Sequence, residues 1–283
     1  MSARLVIAAT PIGNIGDASP RLREVLAQAD IIAAEDTRRL LNLMKALGVT
    51  THARVVAYHD FVEADKAPAL VHDIQQGKVV VLVSDAGMPM VSDPGYRLVN
   101  AALDAGVLVD VIPGPSAVLA ALAVSGLPND RFSFEGFLPR KAGERASRLA
   151  ELSGDRRTMI FFEAPHRGQE ALTAMRDAFN GDRRVAVCRE LTKTFQEVIR
   201  GSVDDVLAKI VEQPLRGEVT IVVEGFTGTA ARSDAQIVQM VRDEQEGGAA
   251  RNAAVADVAK RLGMPRQHVY DLVLAAKSSA GPQ

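Results

Sequence analysis

The chain of 283 residues is 47% hydrophobic and 24% charged, with a formal net charge of −2. This composition is typical of a folded globular protein and excludes a surface that binds nucleic acid everywhere by charge. The single cysteine, Cys188, excludes an internal disulfide framework, and no Cys or His pairs stand at metal-ligand spacing. No run approaches the roughly 20 apolar residues of a membrane span, so we expect a cytoplasmic protein with no membrane segment and no metal.

Short apolar runs that favour strands alternate with helical patterns through the first half of the chain. The predicted strands are L-V-I-A-A, D-I-I-A-A, A-R-V-V-A-Y, K-V-V-V-L-V and V-L-V-D-V-I-P, and the predicted helices lie near 19–28, 38–47, 64–76, 94–105 and 115–125. The strands are continuously hydrophobic, which indicates burial on both faces and therefore a mainly parallel sheet.

Several residues mark the ends of these helices. Gly48, Gly77 and Gly106 each follow a helical pattern, where a left-handed residue often ends a helix. Ser19-Pro20 and Asp93-Pro94 are cap-then-proline pairs and predict helix starts, with Asp93 acting as a cap.

The pattern changes after G-L-P-N-D at 126–130. The alternating runs R-F-S-F-E-G-F, R-T-M-I-F-F-E and G-E-V-T-I-V-V-E predict a second, mixed sheet, with helices near 142–152, 166–179 and 202–213. We therefore expect a two-lobed α/β fold with a helical extension. The predicted parts are a parallel-sheet lobe over 1–128, a mixed-sheet lobe over 129–228 and the extension over 233–283.

The extension is predicted to be purely helical. Ala259, Gly263 and Val269 could be the small contact residue, the turn glycine and the aliphatic anchor of a helix-turn-helix. Residues 251–277 carry five Lys or Arg and two Asp, so this part is locally basic. It could contact nucleic acid or only cap the body, and the sequence favours neither reading.

Three loops rich in Gly and Pro follow predicted strands: T-P-I-G-N-I-G-D (10–17), S-D-A-G-M-P (84–89) and P-G-P-S-A (113–117). Ligands of a doubly wound sheet lie outside the carboxyl ends of its strands. One such loop could be an ordinary turn, but three at one edge indicate a ligand. No phosphate-binding glycine motif occurs, so a phosphate-poor ligand is favoured. Ser116 at a helix start could hold a carboxylate, and Asp85 could accept a hydrogen bond.

Seven motifs occur in a fixed order along the chain. They are T-P-I-G-N, A-E-D-T-R-R (34–39), S-D-A-G-x-P with S-D-P-G, P-G-P-S-A, F-E-G-F-L-P-R-K (134–141), E-A-P-H-R (163–167) and R-E-L-T-K (189–193). Together they make the chain resemble the ribosomal small-subunit RNA methyltransferase I family, which has the tetrapyrrole-methylase fold. The resemblance covers about residues 4–226, and the tail resembles the family's C-terminal extension more loosely. A-E-D-T-R-R and E-A-P-H-R separate the chain from the porphyrin and corrin enzymes.

The resemblance implies a homodimeric enzyme that binds S-adenosylmethionine between two α/β lobes. It implies methylation of the ribose 2′-hydroxyl of a cytidine in the decoding region of 16S rRNA, within the small ribosomal subunit. The cofactor contacts carried over are Pro11, Asp85, Ala86, Gly87, Met88, Ser116, Ala117, Ala164 and Arg189. Met88 replaces an expected Thr and Phe162 a usual Tyr, so neither position offers a hydroxyl.

Methyl transfer from a sulfonium is an in-line displacement, so positioning supplies much of the rate. A ribose hydroxyl also needs a base, or a cation that stabilises the alkoxide. We hypothesise that Glu163 and Lys193 position or activate the hydroxyl, with Asp85 as a further candidate. Glu35, Asp36, His59, His166 and Glu190 are alternatives. The predicted phosphate contacts are Arg38, Arg39, Arg140, Lys141 and Arg167.

Two other functions fit parts of the sequence. A small-molecule methyltransferase of the same fold could act on a tetrapyrrole-like substrate, although the basic motifs speak against it. A non-catalytic regulator could bind nucleic acid through the helix-turn-helix, but this function leaves the three ligand loops unexplained.

Overall fold

The structure, a computed structural model, describes residues 2–228, 234–262 and 264–279. Its contacts divide the chain into two compact units, Met1–Gly225 and Phe226–Gln283. The first unit contains two β-sheets, and the second is helical.

The first sheet is formed by five parallel strands in the order β3-β2-β4-β1-β5. The strands are β1 (Arg4–Ala8), β2 (Ile31–Ala34), β3 (Arg54–Ala57), β4 (Val79–Val83) and β5 (Val109–Ile112), and the helices are α1 (Pro20–Gln28), α2 (Thr37–Leu47), α3 (Glu63–Gln75), α4 (Tyr96–Asp104) and α5 (Ala117–Ser125). Every residue of β4 is buried. Val80 belongs to one core cluster and Val81 to another, so the sheet is covered on both faces. The predicted parallel sheet is confirmed.

The second sheet is mixed, as predicted, with the order β6-β7-β10-β8-β9. Its strands are β6 (Phe132–Phe137), β7 (Thr158–Glu163), β8 (Arg184–Arg189), β9 (Glu197–Ser202) and β10 (Val219–Val223), and its helices are α6 (Ala142–Leu152), α7 (Gly168–Phe179) and α8 (Val203–Glu212). β6 and β7 are parallel, and the other pairs are antiparallel. β9 was not predicted, because this edge strand has the sequence E-V-I-R-G-S with only two apolar residues.

Most predicted helix ends are confirmed. The Ser19 side chain accepts a hydrogen bond from the Leu22 N–H, and Pro20 begins α1. Gly48 ends α2 in the left-handed conformation, with φ of +67°. The predicted start of α4 at Asp93-Pro94 is wrong, since that helix begins at Tyr96.

The second unit contains α9 (Asp234–Glu246), α10 (Arg251–Leu262) and α11 (Arg266–Ser279), and it is helical in its described residues, as predicted. Ala259 and Val269 are buried in a core that belongs to this unit. Gly263, the predicted turn glycine, lies outside the described residues. No helix in the described part of the chain is both long and apolar enough to cross a membrane.

Candidate active site

A cavity of about 450 Å³ lies in the first unit, where residues of both sheets meet. This size is typical of a small-molecule site. The cavity is lined by Ile12, Glu35, Arg39, Asp85, Ala86, Gly87, Met88, Val91, Ser92, Asp93, Ser116, Ala117, Phe137, Phe162, Glu163, Ala164, Pro165, Gly217, Glu218, Val219 and Thr220. Seven of the nine predicted cofactor contacts are among them, and Pro11 and Arg189 are not.

The three predicted loops come together at this cavity. Thr10 and Gly87 exchange two backbone hydrogen bonds, of 2.8 and 3.1 Å, which join the first loop to the second. Gly87 has φ of +82°, and a Cβ there would lie 3.3 Å from Ile12 Cγ2. The third loop brings Ser116, which caps α5 with its side chain. The amino end of α5 therefore lies at the cavity wall, where it can bind an anionic group.

Two carboxylates are fixed at the carboxyl ends of β2 and β4. Asp85 accepts a hydrogen bond from the Asp36 N–H at 3.1 Å, and its Oδ2 lies 3.4 Å from Arg39 Nη1. Glu35 in turn accepts from the Asp85 N–H at 3.2 Å. Burial raises the pKa of both Glu35 and Asp85, although Arg39 opposes the shift at Asp85.

Asp93 is a third carboxylate of the cavity, and its predicted role as a helix cap is wrong. The cap of α4 is the side chain of Glu63, which accepts from the Gly95 N–H at 2.7 Å and the Arg97 N–H at 3.1 Å. Glu63 is buried and lies about 30 residues earlier in the chain. Glu63 accepts the hydrogen bonds at the start of α4, and the Asp93 side chain lines the cavity instead.

The loop before α4 has an unusual backbone. Met90 and Ser92 have φ of 72° and 64°, and Gly95 has φ of 139°. Left-handed backbone at residues other than glycine costs on the order of 1–3 kcal/mol each and persists where the surroundings hold it. Here the hydrogen bonds from the backbone to Glu63 hold the loop. Burial is the main cause that raises the pKa of Asp93 to about 7, and the nearby charge of Glu35 contributes to the same rise.

Glu163 ends β7 and forms the wall on the side of the second sheet. Its side chain is only 1% exposed; Oε1 accepts from the Ala164 N–H at 2.9 Å and lies 3.4 Å from Arg167 Nη1. Glu163 Oε2 is buried and has no hydrogen-bond partner among the described residues. Burial raises the pKa of this carboxyl. A buried acceptor without a donor is costly, so Glu163 is prepared to bind a hydrogen-bond donor of a ligand.

Residues 217–220 line the cavity but were not predicted. They stand at the amino end of β10, which is antiparallel to β7 and pairs Val219 with Glu163. An antiparallel strand brings its amino end to the edge where its neighbours have their carboxyl ends. The only sequence signal is Gly217, two residues before the strand.

Lys193 lies outside the set of lining residues and is held by two carboxylates. Its Nζ is 2.9 Å from Glu190 Oε1 and 3.1 Å from Glu218 Oε2, and Glu218 lines the cavity. Burial lowers the pKa of Lys193, but the hydrogen bonds to Glu190 and Glu218 and the charges of these two carboxylates together raise the pKa overall. A Cβ on Gly13 would lie 2.5 Å from Lys193 Cγ, so the lysine packs against the first loop.

The remaining predicted cofactor contacts lie beside the cavity. Pro11 is buried next to the lining residue Ile12. Arg189 ends β8, and its Nε donates to Glu197 at 2.6 Å.

Four of the five predicted RNA contacts fall into two exposed groups. Arg38 and Arg39 are exposed at the start of α2, and Arg39 also lines the cavity. Arg140 and Lys141 are exposed on the loop between β6 and α6, where Lys141 pairs with Glu144 at 2.9 Å.

Arg167 is placed differently, because its side chain is only 15% exposed. Its Nη2 donates to the Leu138 and Pro139 carbonyls at 2.9 and 3.1 Å, while Nη1 faces Glu163. Arg145 is also buried and donates to the Pro139 and Arg140 carbonyls. Arg167 therefore holds the loop that carries Arg140 and Lys141, and it joins this loop to the cavity.

The described residues contain no group of three or more His, Cys, Asp or Glu arranged to hold a metal ion.

The family model "Tetrapyrrole (Corrin/Porphyrin) Methylases" matches residues 4–207, which is more than half of the chain, so the chain belongs to this class. The fold is similar to that of the methyltransferase CobJ, with a TM-score of 0.61 and 21% identity over 79% of this chain and 95% of that one. It is also similar to a Thermus thermophilus uroporphyrin-III C-methyl transferase complexed with S-adenyl homocysteine, with a TM-score of 0.56 and 16% identity over 78% and 97% of the chains.

Within this class, the chain belongs to the ribosomal RNA small subunit methyltransferase I family, as the motifs predicted. It is 46% identical over 280 residues to the Mycobacterium tuberculosis protein of that name, covering 99% of this chain and 98% of the relative. It is 43% identical over 281 residues to the Mesorhizobium japonicum protein, covering 98% and 93%.

Proposed function

We propose that this protein is an S-adenosylmethionine-dependent methyltransferase that acts on 16S rRNA in the small ribosomal subunit. The names of relatives that match almost the whole chain support methylation of small-subunit rRNA. The motifs described above support the finer assignment, the ribose 2′-hydroxyl of a cytidine in the decoding region.

The negative charge of the cavity is the main structural support for S-adenosylmethionine as the cofactor. Of its described lining residues, five are carboxylates and one, Arg39, is a cation; the carboxylates are Glu35, Asp85, Asp93, Glu163 and Glu218. Such a cavity repels phosphate-bearing cofactors and attracts a cation. S-adenosylmethionine suits it, because its sulfonium and ammonium groups outweigh its one carboxylate.

The residues fit this cofactor in detail. Gly87 permits close approach of its backbone, and the amino end of α5 at Ser116 and Ala117 suits a carboxylate. Glu163 Oε2 lacks a donor, which an amino or hydroxyl group would supply. When bound, the cofactor supplies an electrophilic methyl group on a positively charged sulfur.

The protein must orient the ribose hydroxyl and accept its proton. Glu163 suits this task, since its raised pKa brings a buried carboxylate closer to the range of a general base. Asp85 is fixed by Arg39 and the Asp36 N–H, which favours a role in orientation. Lys193 contacts the cavity through Glu218, so we assign it a positioning role.

Four exposed cations, Arg38, Arg39, Arg140 and Lys141, are proposed to contact RNA phosphates. We also propose a cytoplasmic homodimer. The exposed apolar side chains Leu103, Leu108 and Val111, on or near the edge strand β5, support a subunit contact. Sedimentation equilibrium of the purified chain tests this, and a monomer at micromolar concentration would contradict it.

The test of the function is transfer of labelled methyl from S-adenosylmethionine to small ribosomal subunits that lack the modification. A 2′-O-methyl group is recognised because it protects the adjacent phosphodiester bond from alkaline hydrolysis. We expect labelled 16S rRNA with one protected linkage at a cytidine in the decoding region. Methylation of a tetrapyrrole but not of the subunit would favour the small-molecule alternative, and duplex-DNA binding without transfer would favour the regulator.

The chemical roles are tested with Glu163→Gln and Lys193→Met, with Asp104→Asn as an exposed control on α4. Loss of a general base lowers turnover by about 10²–10⁴-fold, so Glu163→Gln should do so. Lys193→Met should have a smaller effect. Cofactor affinity is measured separately by calorimetry, and near-normal turnover in both variants would remove both residues from the chemistry.

A further inference from the structure

One large aromatic ring stands exposed at the mouth of this acidic cavity. Phe137 is the last residue of the edge strand β6, lines the cavity and is 55% exposed. The other aromatic lining residue, Phe162, is only partly exposed and lies on the neighbouring strand β7. Leaving the ring of Phe137 in water forgoes the free energy of its burial, so a role in binding a flat apolar surface is indicated.

Two neighbouring aromatic side chains support the ring of Phe137. Phe137 and Phe162 are register partners across β6 and β7, with ring centroids 5.7 Å apart and an angle of 61° between the rings. Phe162 packs in turn against Phe134, at 4.8 Å and 64°. Three rings in edge-to-face contact form a supported cluster, and Phe137 is its most exposed member.

The chain directly after Phe137 adds positive charge. The carbonyls of Leu138 and Pro139 accept hydrogen bonds from Arg167, and the next two residues are the exposed Arg140 and Lys141. A supported aromatic ring with cations beside it is the combination that binds an unstacked base of RNA. The ring offers a stacking surface, and the two cations can contact phosphates of the same RNA strand.

Such a surface would serve the proposed reaction. A nucleotide that leaves the stack of neighbouring bases to bring its ribose hydroxyl into a cavity loses a few kcal/mol. Stacking on a protein ring offsets that cost for a pyrimidine, which is neutral and planar. A carboxylate-lined wall offers it no comparable surface.

We propose that Phe137 is the stacking platform for the base of the methylated nucleotide, a pyrimidine ring, and holds it at the mouth of the cofactor cavity. The proposal rests on the proposed function and adds to it a residue that binds substrate. The adenine of the cofactor is the other planar ring that could use this surface, and the test separates the two.

The experiment compares four purified full-length variants: Phe137→Ala, Phe137→Leu, Phe137→Tyr and Phe132→Ala. Phe132 is a matched control, because it lies on the same edge strand, is 41% exposed and is not a lining residue. KM for unmethylated small subunits is measured by methyl transfer, and Kd for S-adenosylmethionine by calorimetry.

We expect Phe137→Ala to raise KM for the subunit on the order of 10- to 100-fold, as loss of one stacked base implies. Phe137→Leu should behave similarly because it keeps apolar bulk without a π-face, whereas Phe137→Tyr should stay within about threefold of the parent. The cofactor Kd should change less than about twofold in all variants. Phe132→Ala should match the parent in both measurements.

Three results would overturn the proposal. A rise of cofactor Kd that equals the rise of KM would assign the ring to the adenine instead. Equal KM for Phe137→Leu and the parent would show that bulk, and not stacking, matters. Equal losses in Phe137→Ala and Phe132→Ala would show a general disturbance of β6. Failure of the parent protein to methylate subunits would reject the proposed function itself, which is a distinct outcome.

Discussion

Replacing Asp93 by asparagine separates its place in the cavity from a role in capping α4. In the structure Asp93 lines an acidic cavity and is not the cap. The asparagine side chain has nearly the same size, so the perturbation removes the charge and keeps the shape. The companion control is Asp104→Asn, which changes an exposed carboxylate on α4.

The expected change in the free energy of unfolding follows from the pKa of Asp93. Raising the pKa from 3.8 to about 7 corresponds to about 4 kcal/mol, and screening by solvent at this partly exposed group reduces it to about 2 kcal/mol. The folded state binds the proton more tightly than the unfolded chain does. The stability that this group contributes is therefore fully present below about pH 4 and is lost as pH rises through about 7.

Two opposite effects are expected at pH 8. Without cofactor, Asp93→Asn should be more stable than the parent by about 2 kcal/mol, because it avoids the unfavourable charge. This corresponds to roughly 4–8 °C in Tm, and the gain should vanish at pH 4. With cofactor, the variant loses the attraction between the carboxylate and a cation of the ligand. A loss of about 2 kcal/mol of binding free energy raises Kd roughly 30-fold.

Thermal unfolding at pH 4 and pH 8 and calorimetric titration with S-adenosylmethionine at pH 8 measure both effects. A capping role would leave both Tm at pH 8 and Kd nearly unchanged in Asp93→Asn, because asparagine caps a helix about as well as aspartate does. That pair of results would refute the reasoning, since it would show that the charge of Asp93 neither destabilises the empty cavity nor attracts the ligand.

Other substitutions test the loops around the cavity. Arg140→Gln should lower the salt dependence of RNA binding by about one phosphate contact, measured as log Kd against log[KCl]. Arg167→Gln should leave that slope unchanged but cost about 1–3 kcal/mol of stability, because the Leu138 carbonyl loses the Arg167 donor and the buried Glu163 loses its paired cation; equal slopes for both variants would contradict this. Gly95→Ala should lower the free energy of unfolding by more than about 2 kcal/mol, since it has φ of +139° and its Cβ would lie 2.7 Å from Leu82 Cδ2. Gly48→Ala is its control in urea unfolding: φ is +67° with no atom within 4 Å of the added Cβ, so it should cost only about 1 kcal/mol.

Much of the fold could be predicted, because the hydrophobicity of each strand's residues indicates whether the strand is buried on one face or on both. The run Val79–Val83 is apolar at every position, and it is the central strand, buried on both faces. The loops 84–89 and 113–117 follow parallel strands, so their convergence at one edge follows from the direction of the strands. The residues of these loops that were predicted to contact the cofactor are accordingly among the residues that line the cavity.

The role of Asp93 could not be predicted from local sequence. Asp-Pro before a helical pattern is a good local signal for a helix start. The competing interaction comes from Glu63, about 30 residues away, and the buried hydrogen bonds from Gly95 and Arg97 decide the geometry.

The second sheet contributes cavity residues that were not predicted, because the prediction considered only the carboxyl ends of strands. Gly217 and Glu218 reach the cavity because β10 runs antiparallel to its neighbours, and strand direction is a property of the whole sheet. Arg167 was predicted to bind phosphate from its charge alone. Its burial depends on the loop carbonyls of Leu138 and Pro139, which lie on a different segment.

The most direct test of the account is mass spectrometry of 16S rRNA after reaction of unmethylated small subunits with the purified parent protein and with Asp93→Asn at limiting S-adenosylmethionine. We predict one added methyl group on the ribose of a decoding-region cytidine with the parent protein. The variant should give much less product, which should recover when the cofactor is raised about 30-fold. A parent protein that leaves the decoding-region cytidines unmethylated, or a variant that equals it at limiting cofactor, would contradict the account.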